Sequence, residues 1–192
     1  MKLAIFGFGG HAREVARQVN DESITFFVDN EYSCGDIQPI DNFNPLIYKI
    51  LVAVADSKAR KSIVDRLPIN TQFWSFIHPS AQIMDKNIKI GEGSFIGANS
   101  ILTTNITLGN HTLLNRGNHI GHDTIIGDYF SMTPSAVVGG NVVIGDEVYL
   151  GSCSNVREKI NITSGVKIGM SAAVVKNITK EGTYIGVPAK PL

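Results

Sequence analysis

Between Ile90 and Val174 an aliphatic side chain recurs at every sixth position without a miss, from Ile90, Ile96, Leu102 and Leu108 through Ile120 and Ile126 to Ile162, Ile168 and Val174. This period matches neither an amphipathic helix, which repeats at 3.6, nor a strand, which alternates at 2. It is the spacing of a parallel β-helix built from hexapeptides, three to each triangular coil. The following position is often glycine (Gly91, Gly97, Gly109, Gly121, Gly127, Gly139, Gly145), and two residues before each aliphatic there is usually a small or β-branched residue. The aliphatic is expected to point into the prism, and the glycine to let the backbone turn where a Cβ would be strained. Gly-punctuated antiparallel strands would drift in phase over so long a stretch. An unbroken phase also predicts that no long loop leaves the prism between Gly91 and Val174.

The first part of the chain has another period. Leu3 to Phe6 is apolar, Gly7-Phe8-Gly9-Gly10 is a tight turn, and Ala12, Val15, Ala16 and Val19 fall at helical spacing. Ile24 to Val28 and Leu51 to Val54 read as further buried strands, and Ser57 to Leu67 as a second helix. The expected fold is therefore an α/β N-terminal Rossmann-like small domain followed by a C-terminal parallel β-helix of hexapeptide repeats, divided as 1–74 and 75–192. Phe73-Trp74-Ser75-Phe76-Ile77-His78-Pro79 links the two, and its aromatics are expected to pack the small domain against the open end of the prism, with His78 structural. Gly182 to Lys190 leaves the repeat phase and should close the other end.

Charge narrows the partners. Lys plus Arg and Asp plus Glu each total 17, so neither a nucleic-acid surface nor a polybasic membrane anchor is indicated. The opening apolar run is too short for a signal peptide and no stretch approaches a membrane span, which gives a cytoplasmic expectation. Cys34 and Cys153 lie in different halves and are not expected to pair.

Three readings of the glycine turn stand side by side. Gly7-x-Gly9 with Ala12 and Asp29 matches the start of a dinucleotide fingerprint; a domain about half the usual size suits one nucleotide; and a strand-to-helix turn needs no ligand at all. NAD-dependent redox activity, a phosphate site and a bare turn remain open on these residues.

Three motifs spread over the chain, Gly7-Phe8-Gly9-Gly10-His11-Ala12-Arg13-Glu14-Val15, Asn118-His119-Ile120-Gly121-His122-Asp123 and Gly186-Val187-Pro188-Ala189-Lys190, together resemble the sugar O-acyltransferases and nucleotide-sugar N-acetyltransferases of bacterial glycan synthesis. That family includes sialic acid O-acetyltransferases and acetyltransferases of 4-amino-4,6-dideoxy sugar nucleotides. The resemblance implies a left-handed parallel β-helix, a homotrimer with active sites between adjacent subunits, and acetyl-CoA as co-substrate; no metal is expected, and the acetyl transfer is expected to be direct. It puts the general base at His122 with Asp123 as its carboxylate partner, and the oxyanion donor at the main chain of Gly140. Gly9, Gly10, His11, Asp29, Asn30 and Asn115 match acceptor-side positions. Ser131, Ser152 and Met170 match acetyl-CoA positions, with a serine at 131 where close relatives often carry a second histidine. The chemistry agrees, because an amine or hydroxyl attacks a thioester only as its proton is removed, a task suited to imidazole.

Two further histidines have other roles. His119 is expected to be structural or to touch substrate, and His111 to be exposed on a turn. An Asp123 to His122 hydrogen bond requires both to sit at a corner, since neighbours on a flat strand point to opposite faces. Other classes weighed are a zinc carbonic anhydrase, whose pair of histidines five apart is missing here, and a non-catalytic β-helix scaffold.

Overall fold

The computed structural model describes residues 1–192. The first sheet is formed by β1 (Lys2–Phe6), β2 (Thr25–Val28), β3 (Gln38–Pro39), β4 (Tyr48–Val52) and β5 (Gln72–Phe73), in the parallel order β3-β2-β1-β4-β5. The helices α1 (Gly10–Val19) and α2 (Ser57–Asp65) follow β1 and β4. Alternation along β1 divides the core in two. Ala4 and Phe6 pack with Phe27, Ile50, Val52 and α2's Ile63. Ile5 packs with Ala12 and Val15 of α1, Leu51, Trp74, and Phe95 and Leu113 of the following half. The glycine turn is tight for a steric reason at Gly7, whose φ is +110° and whose missing Cβ would stand 3.4 Å from both Ala12 Cβ and the Ala53 carbonyl.

From Phe76 onward the chain winds as a left-handed β-helix of two-residue strands forming three parallel faces. The first face carries the strands that begin at Phe76, Phe95, Leu113, Ser131, Tyr149 and Lys167; the second those at Gln82, Ile101, His119, Val137, Asn155 and Ala173; the third those at Lys89, Thr107, Ile125, Val143 and Asn161. Neighbouring coils pair in a step of 18 residues, as in Ile101 with His119 and His119 with Val137. Three hexapeptides per coil account for that step. Of the repeat aliphatics only Ile90, at the start, is partly exposed; the rest are at most 3% exposed. The position two residues earlier also faces inward, filled by Ile106, Phe130, Ala136, Val142, Val148 and Val166. After Val174 the step shortens to 16, Lys167 pairing with Thr183, and Thr183–Ile185 with Lys190–Pro191 closes the first face as a hairpin-like tail.

The glycines serve a purpose other than the turn expected of them. A Cβ on Gly91 would lie 2.5 Å from the Asn110 nitrogen, and one on Gly121 2.6 Å from that of Gly140, so these positions are glycine because the next coil's backbone passes over them. The left-handed backbone falls two residues later and is held mostly by other residues, among them Asn99, Asn105, His111, Asp123, Tyr129 and Asn141. Asn and Asp tolerate this region because their short side chains bond locally.

A second correction concerns the linker. Trp74 donates through Nε1 to the Ala4 carbonyl at 2.8 Å, and Phe76 stacks on Phe95 with centroids 5.7 Å apart. The small domain thus lies along the first face of the prism, over Phe95 and Leu113, and not across its open end. A flank of outward-pointing apolar side chains offers far more surface to bury than a coil end.

The bolt of this seam is Arg60. It projects from α2 on the same face as Ser57 and Ile63, is 0% exposed, and has no carboxylate partner. Nε donates to the His111 carbonyl at 2.9 Å, Nη1 to those of Val54 and Ala55 at 2.6 and 3.3 Å, and Nη2 to those of Tyr129 and Phe130 at 2.7 and 3.0 Å. Burial pushes its guanidinium down to about 9, still protonated at neutral pH. A planar fork of five donors fits this ring of carbonyls, which an ammonium would not satisfy.

Candidate active site

The corner that follows the His119–Ile120 strand turns the chain from the second face to the third. Its left-handed residue is Asp123, at φ +58°, which swings that side chain beside the preceding one. His122 Nδ1 and Asp123 Oδ2 are 2.7 Å apart. Asn105, one coil earlier at the same corner, donates through Nδ2 to Asp123 Oδ1 at 2.7 Å. Those two hydrogen bonds, Asn105 first, hold the Asp123 carboxyl below its ordinary range, so it is an anion at neutral pH. The anion selects the tautomer with the proton on Nδ1 and leaves Nε2 with its lone pair free.

That lone pair faces the next coil. Eighteen residues on, Gly140 lies directly against the imidazole: a Cβ there would stand 2.6 Å from His122 Nε2 and 2.8 Å from Cε1. The Asn141 N–H donates to the His122 carbonyl at 2.7 Å and fixes the spacing of the two coils. The Gly140 N–H donates to no group of the chain. The corner therefore brings a base nitrogen against a glycine whose backbone donor is unpaired, and a base and a main-chain donor are the two groups acyl transfer asks for.

The other expected site residues fall into separate groups. His119 is exposed on the second face, in register between Ile101 and Val137. Ser152 and Met170 stand one coil apart at the corner between the first and second faces, the opposite edge of the second face from His122. Ser152 Oγ bonds Thr133 Oγ1 at 3.1 Å and Met170 is 75% exposed. Asn115 lies at that same distant corner and not near His122 within the chain; it is 8% exposed, with its Oδ1 accepting from the Arg116 N–H at 2.7 Å.

Ser131 is a correction. It points outward on the first face, but the small domain covers it: it is 2% exposed, its Oγ donates to the Ala55 carbonyl at 2.8 Å and accepts from Arg60 Nη2 at 2.9 Å. A residue committed to the seam has no surface left for acetyl-CoA. The histidine at 111 is a second correction, since it occupies a turn at φ +54° yet is 4% exposed. It stacks on Tyr129 with centroids 5.0 Å apart and takes the edge of Phe73 at 4.5 Å.

In the small domain Gly9 caps α1 without a side-chain bond, and nothing lies within 4 Å of where a Cβ on Gly9 or Gly10 would be. The helix N-terminus is thus open to an anion. His11 sits in the first turn with a buried, unpartnered Nε2, and burial holds its imidazole below the ordinary value. Asp29 and Asn30 end β2 beside this turn, but both are engaged: Asp29 Oδ1 pairs with Arg66 Nη2 at 2.5 Å, and Asn30 Nδ2 donates to Asp41 Oδ2 at 2.5 Å.

Sequence reasoning missed Arg60 altogether. The signal was its spacing: Ser57, Arg60, Ile63 and Leu67 share one helical face, which puts a charge in the middle of an apolar stripe. No helix is long and apolar enough to cross a membrane. No three His, Cys, Asp or Glu side chains converge as metal ligands would.

Residues 2–67 match the model of the PglD N-terminal domain. Among curated proteins, UDP-N-acetylbacillosamine N-acetyltransferase of Bacillus subtilis (strain 168) is 32% identical over an alignment of 111 residues that covers 50% of this chain and 51% of the relative's own length. The acetyltransferase domain of PglB from Neisseria gonorrhoeae FA1090, solved in complex with acetyl coenzyme A, is 27% identical with a TM-score of 0.89, over 100% of this chain and 98% of that one. WeeI from Acinetobacter baumannii AYE is 26% identical with a TM-score of 0.89, over 100% of both chains. The chain is thus similar over its whole length to the PglB acetyltransferase domain and to WeeI, and residues 2–67 form a PglD-type N-terminal domain.

Proposed function

We propose that the chain transfers an acetyl group from acetyl-CoA to the amine of a nucleotide-linked 4-amino-4,6-dideoxy sugar in bacterial surface-glycan synthesis. The observation that carries this reading is the contact of His122 Nε2 with the bare main chain of Gly140. In the transfer, neutral His122 takes a proton from the sugar ammonium or from the amine as it attacks. The nitrogen adds to the thioester carbonyl, the Gly140 N–H holds the oxyanion, and as the tetrahedral centre collapses coenzyme A leaves as a thiolate that takes a proton from the new amide nitrogen or from protonated His122. Asp123 fixes the imidazole and stabilises its protonated form. Catalysis by an acetyl-Cys153 intermediate is disfavoured, because Cys153 is exposed with no basic partner.

The placement of the columns supports a homotrimer. His122 and Gly140 line one edge of the second face, and Ser152 and Met170 line the other. If the second face turns toward a threefold axis, each edge meets the opposite edge of a neighbour, and the contact closes into a ring. Donor and base would then meet between subunits. Ile125 and Val143, paired in register on the third face next to His122 and 55% and 46% exposed, supply apolar surface for that contact. The acceptor's nucleotide fits the small domain at Gly9, Gly10 and His11, and acetyl-CoA fits the column of Ser152 and Met170.

A coenzyme A release assay with acetyl-CoA against UDP-, dTDP- and GDP-linked 4-amino-4,6-dideoxy sugars tests the reading. Release with one of them is the expected result. Release only with free sialic acid would overturn it in favour of O-acetylation, and silence across the panel would leave a scaffold.

A further inference from the structure

Four asparagines hold left-handed backbone, Asn20, Asn99, Asn105 and Asn141, a conformation this residue tolerates at a turn. At three of them the side-chain amide makes no hydrogen bond within the chain. Asn105 is the exception, since its Nδ2 reaches across one coil to Asp123 Oδ1 at 2.7 Å. The corner accounts for the residue type. It does not account for the aim of the side chain.

Asn105 is itself held from the coil before. Asp85 follows the Gln82–Ile83 strand at the same corner, and its Oδ2 accepts from the Asn105 N–H at 3.1 Å and from the Thr104 hydroxyl. Its Oδ1 accepts from the Asn87 N–H at 2.9 Å. These bonds, Thr104 first, keep the Asp85 carboxyl below its ordinary range. Asp85, Asn105, Asp123 and His122 thus form one line across three successive coils, with the imidazole at its end. The line matters because the side chains of His122 and Asp123 are about half exposed. The terminal torsion of a carboxylate is broad, so a group held at one oxygen turns readily. Pinned at Oδ1 by the amide and set with Oδ2 against Nδ1, this one keeps a single plane. The other charged groups along the corner are Lys86 beside Asp85, and Glu158 and Lys159 beyond Gly140, whose carbonyl accepts from the Lys159 N–H at 3.0 Å. They balance in sign, and none pairs with His122 or Asp123.

We infer that Asn105 is a positioning residue of acetyl transfer: by fixing the plane of the Asp123 carboxylate it keeps the proton on His122 Nδ1 and directs the free Nε2 at the incoming amine. This rests on the reading of His122 as the base that serves a nucleotide-linked amino sugar. An amide suits the task because it donates without carrying charge. It steadies the Asp123 anion and has no proton to give up, so the carboxylate stays an acceptor while His122 passes from base to imidazolium and back. A carboxylate at 105 would repel Asp123, and an ammonium would neutralise the charge that the imidazolium needs.

Kinetics and histidine NMR on the full chain test this role. Asn105→Gly is the sharpest variant, because glycine takes the φ of +50° without strain and only the amide is lost. Its kcat for coenzyme A release should fall about tenfold, with both KM values and the melting temperature unchanged. Nitrogen-15 spectra of the chain without substrate should show the His122 ring passing from one tautomer to a mixture of two. Asn105→Asp sets a second carboxylate against Asp123 and should move the acid limb of kcat up by about half a pH unit, since added negative charge favours the imidazolium. A melting temperature lowered with kcat kept overturns the inference, because Asn105 would then serve the corner alone. A fall in kcat with the tautomer and the pH profile unmoved also overturns it, because the amide would then act other than through Asp123. If the wild-type chain acetylates a nucleotide-linked amino sugar and Asn105→Gly matches it in rate and tautomer, the positioning role fails and the acetyltransferase reading stands. If the tautomer shifts in Asn105→Gly but the wild-type chain acetylates no acceptor, the hold of Asn105 on the imidazole stands and that reading fails.

Discussion

The interior of the prism and the seam beside it solve the same problem in opposite ways. Inside the prism every coil buries the same kinds of side chain, Leu102, Ile120, Val138 and Val156 stacked along one face, and each is covered by the coil before and after. In the seam a single guanidinium, Arg60, satisfies five carbonyls drawn from both domains, and no second residue duplicates it. Repetition makes stability a sum over neighbouring coils, so a local loss stays local. A polar bolt concentrates it, because a buried carbonyl stripped of its donor costs the full desolvation penalty.

The largest break of this contrast is Arg60→Ala. It leaves a cavity and several orphaned carbonyls, and should lower the stability of the docked small domain by about 3–5 kcal/mol. Calorimetry should then separate an early small-domain transition from a prism transition that scarcely moves. Leu114→Ala, at an equivalent depth in the prism, should cost about 2–4 kcal/mol and keep a single prism transition, since adjacent coils still cover the site.

Acid provides a graded version of the same test. Burial first, and the Arg60 charge second, lower the His111 imidazole from 6.5 to about 4. The unfolded chain therefore takes up this proton before the folded one as pH falls. Stability from this source is complete above about 6.5 and declines toward about 4, by at most about 3 kcal/mol. His111→Phe, which keeps a ring between Phe73 and Tyr129, should flatten that part of the stability-against-pH curve in chemical denaturation. The smallest effect is expected at the rim of the seam, where Lys167 Nζ meets Asp56 Oδ2 at 2.7 Å with both side chains more than 40% exposed. Lys167→Ala should cost below about 1 kcal/mol in the same denaturation experiment, and less in high salt.

The contrast also explains what was legible in the sequence. The prism could be read because its constraint is periodic: each hexapeptide meets the same neighbours, so inward aliphatics and close-approach glycines recur in phase. The β1-turn-α1 unit was equally local. His122 and Asp123 were legible through motif resemblance, while their contact depended on a left-handed corner that only the fold supplies. The seam was not legible. Arg60, Ser131 and His111 acquire their roles from partners 18 to 76 residues away, and nothing in a local window tells a buried arginine from a solvated one.

The central claim is that His122 Nε2, held by Asp123 and resting on Gly140, is the general base of acetyl transfer. Its most direct test is the rate of coenzyme A release by His122→Ala, measured with acetyl-CoA and the nucleotide-linked amino sugar that the wild-type chain accepts. The account predicts a fall in turnover of about two to four orders of magnitude with an unchanged melting temperature. Turnover comparable to the wild-type chain in a folded His122→Ala protein would contradict it.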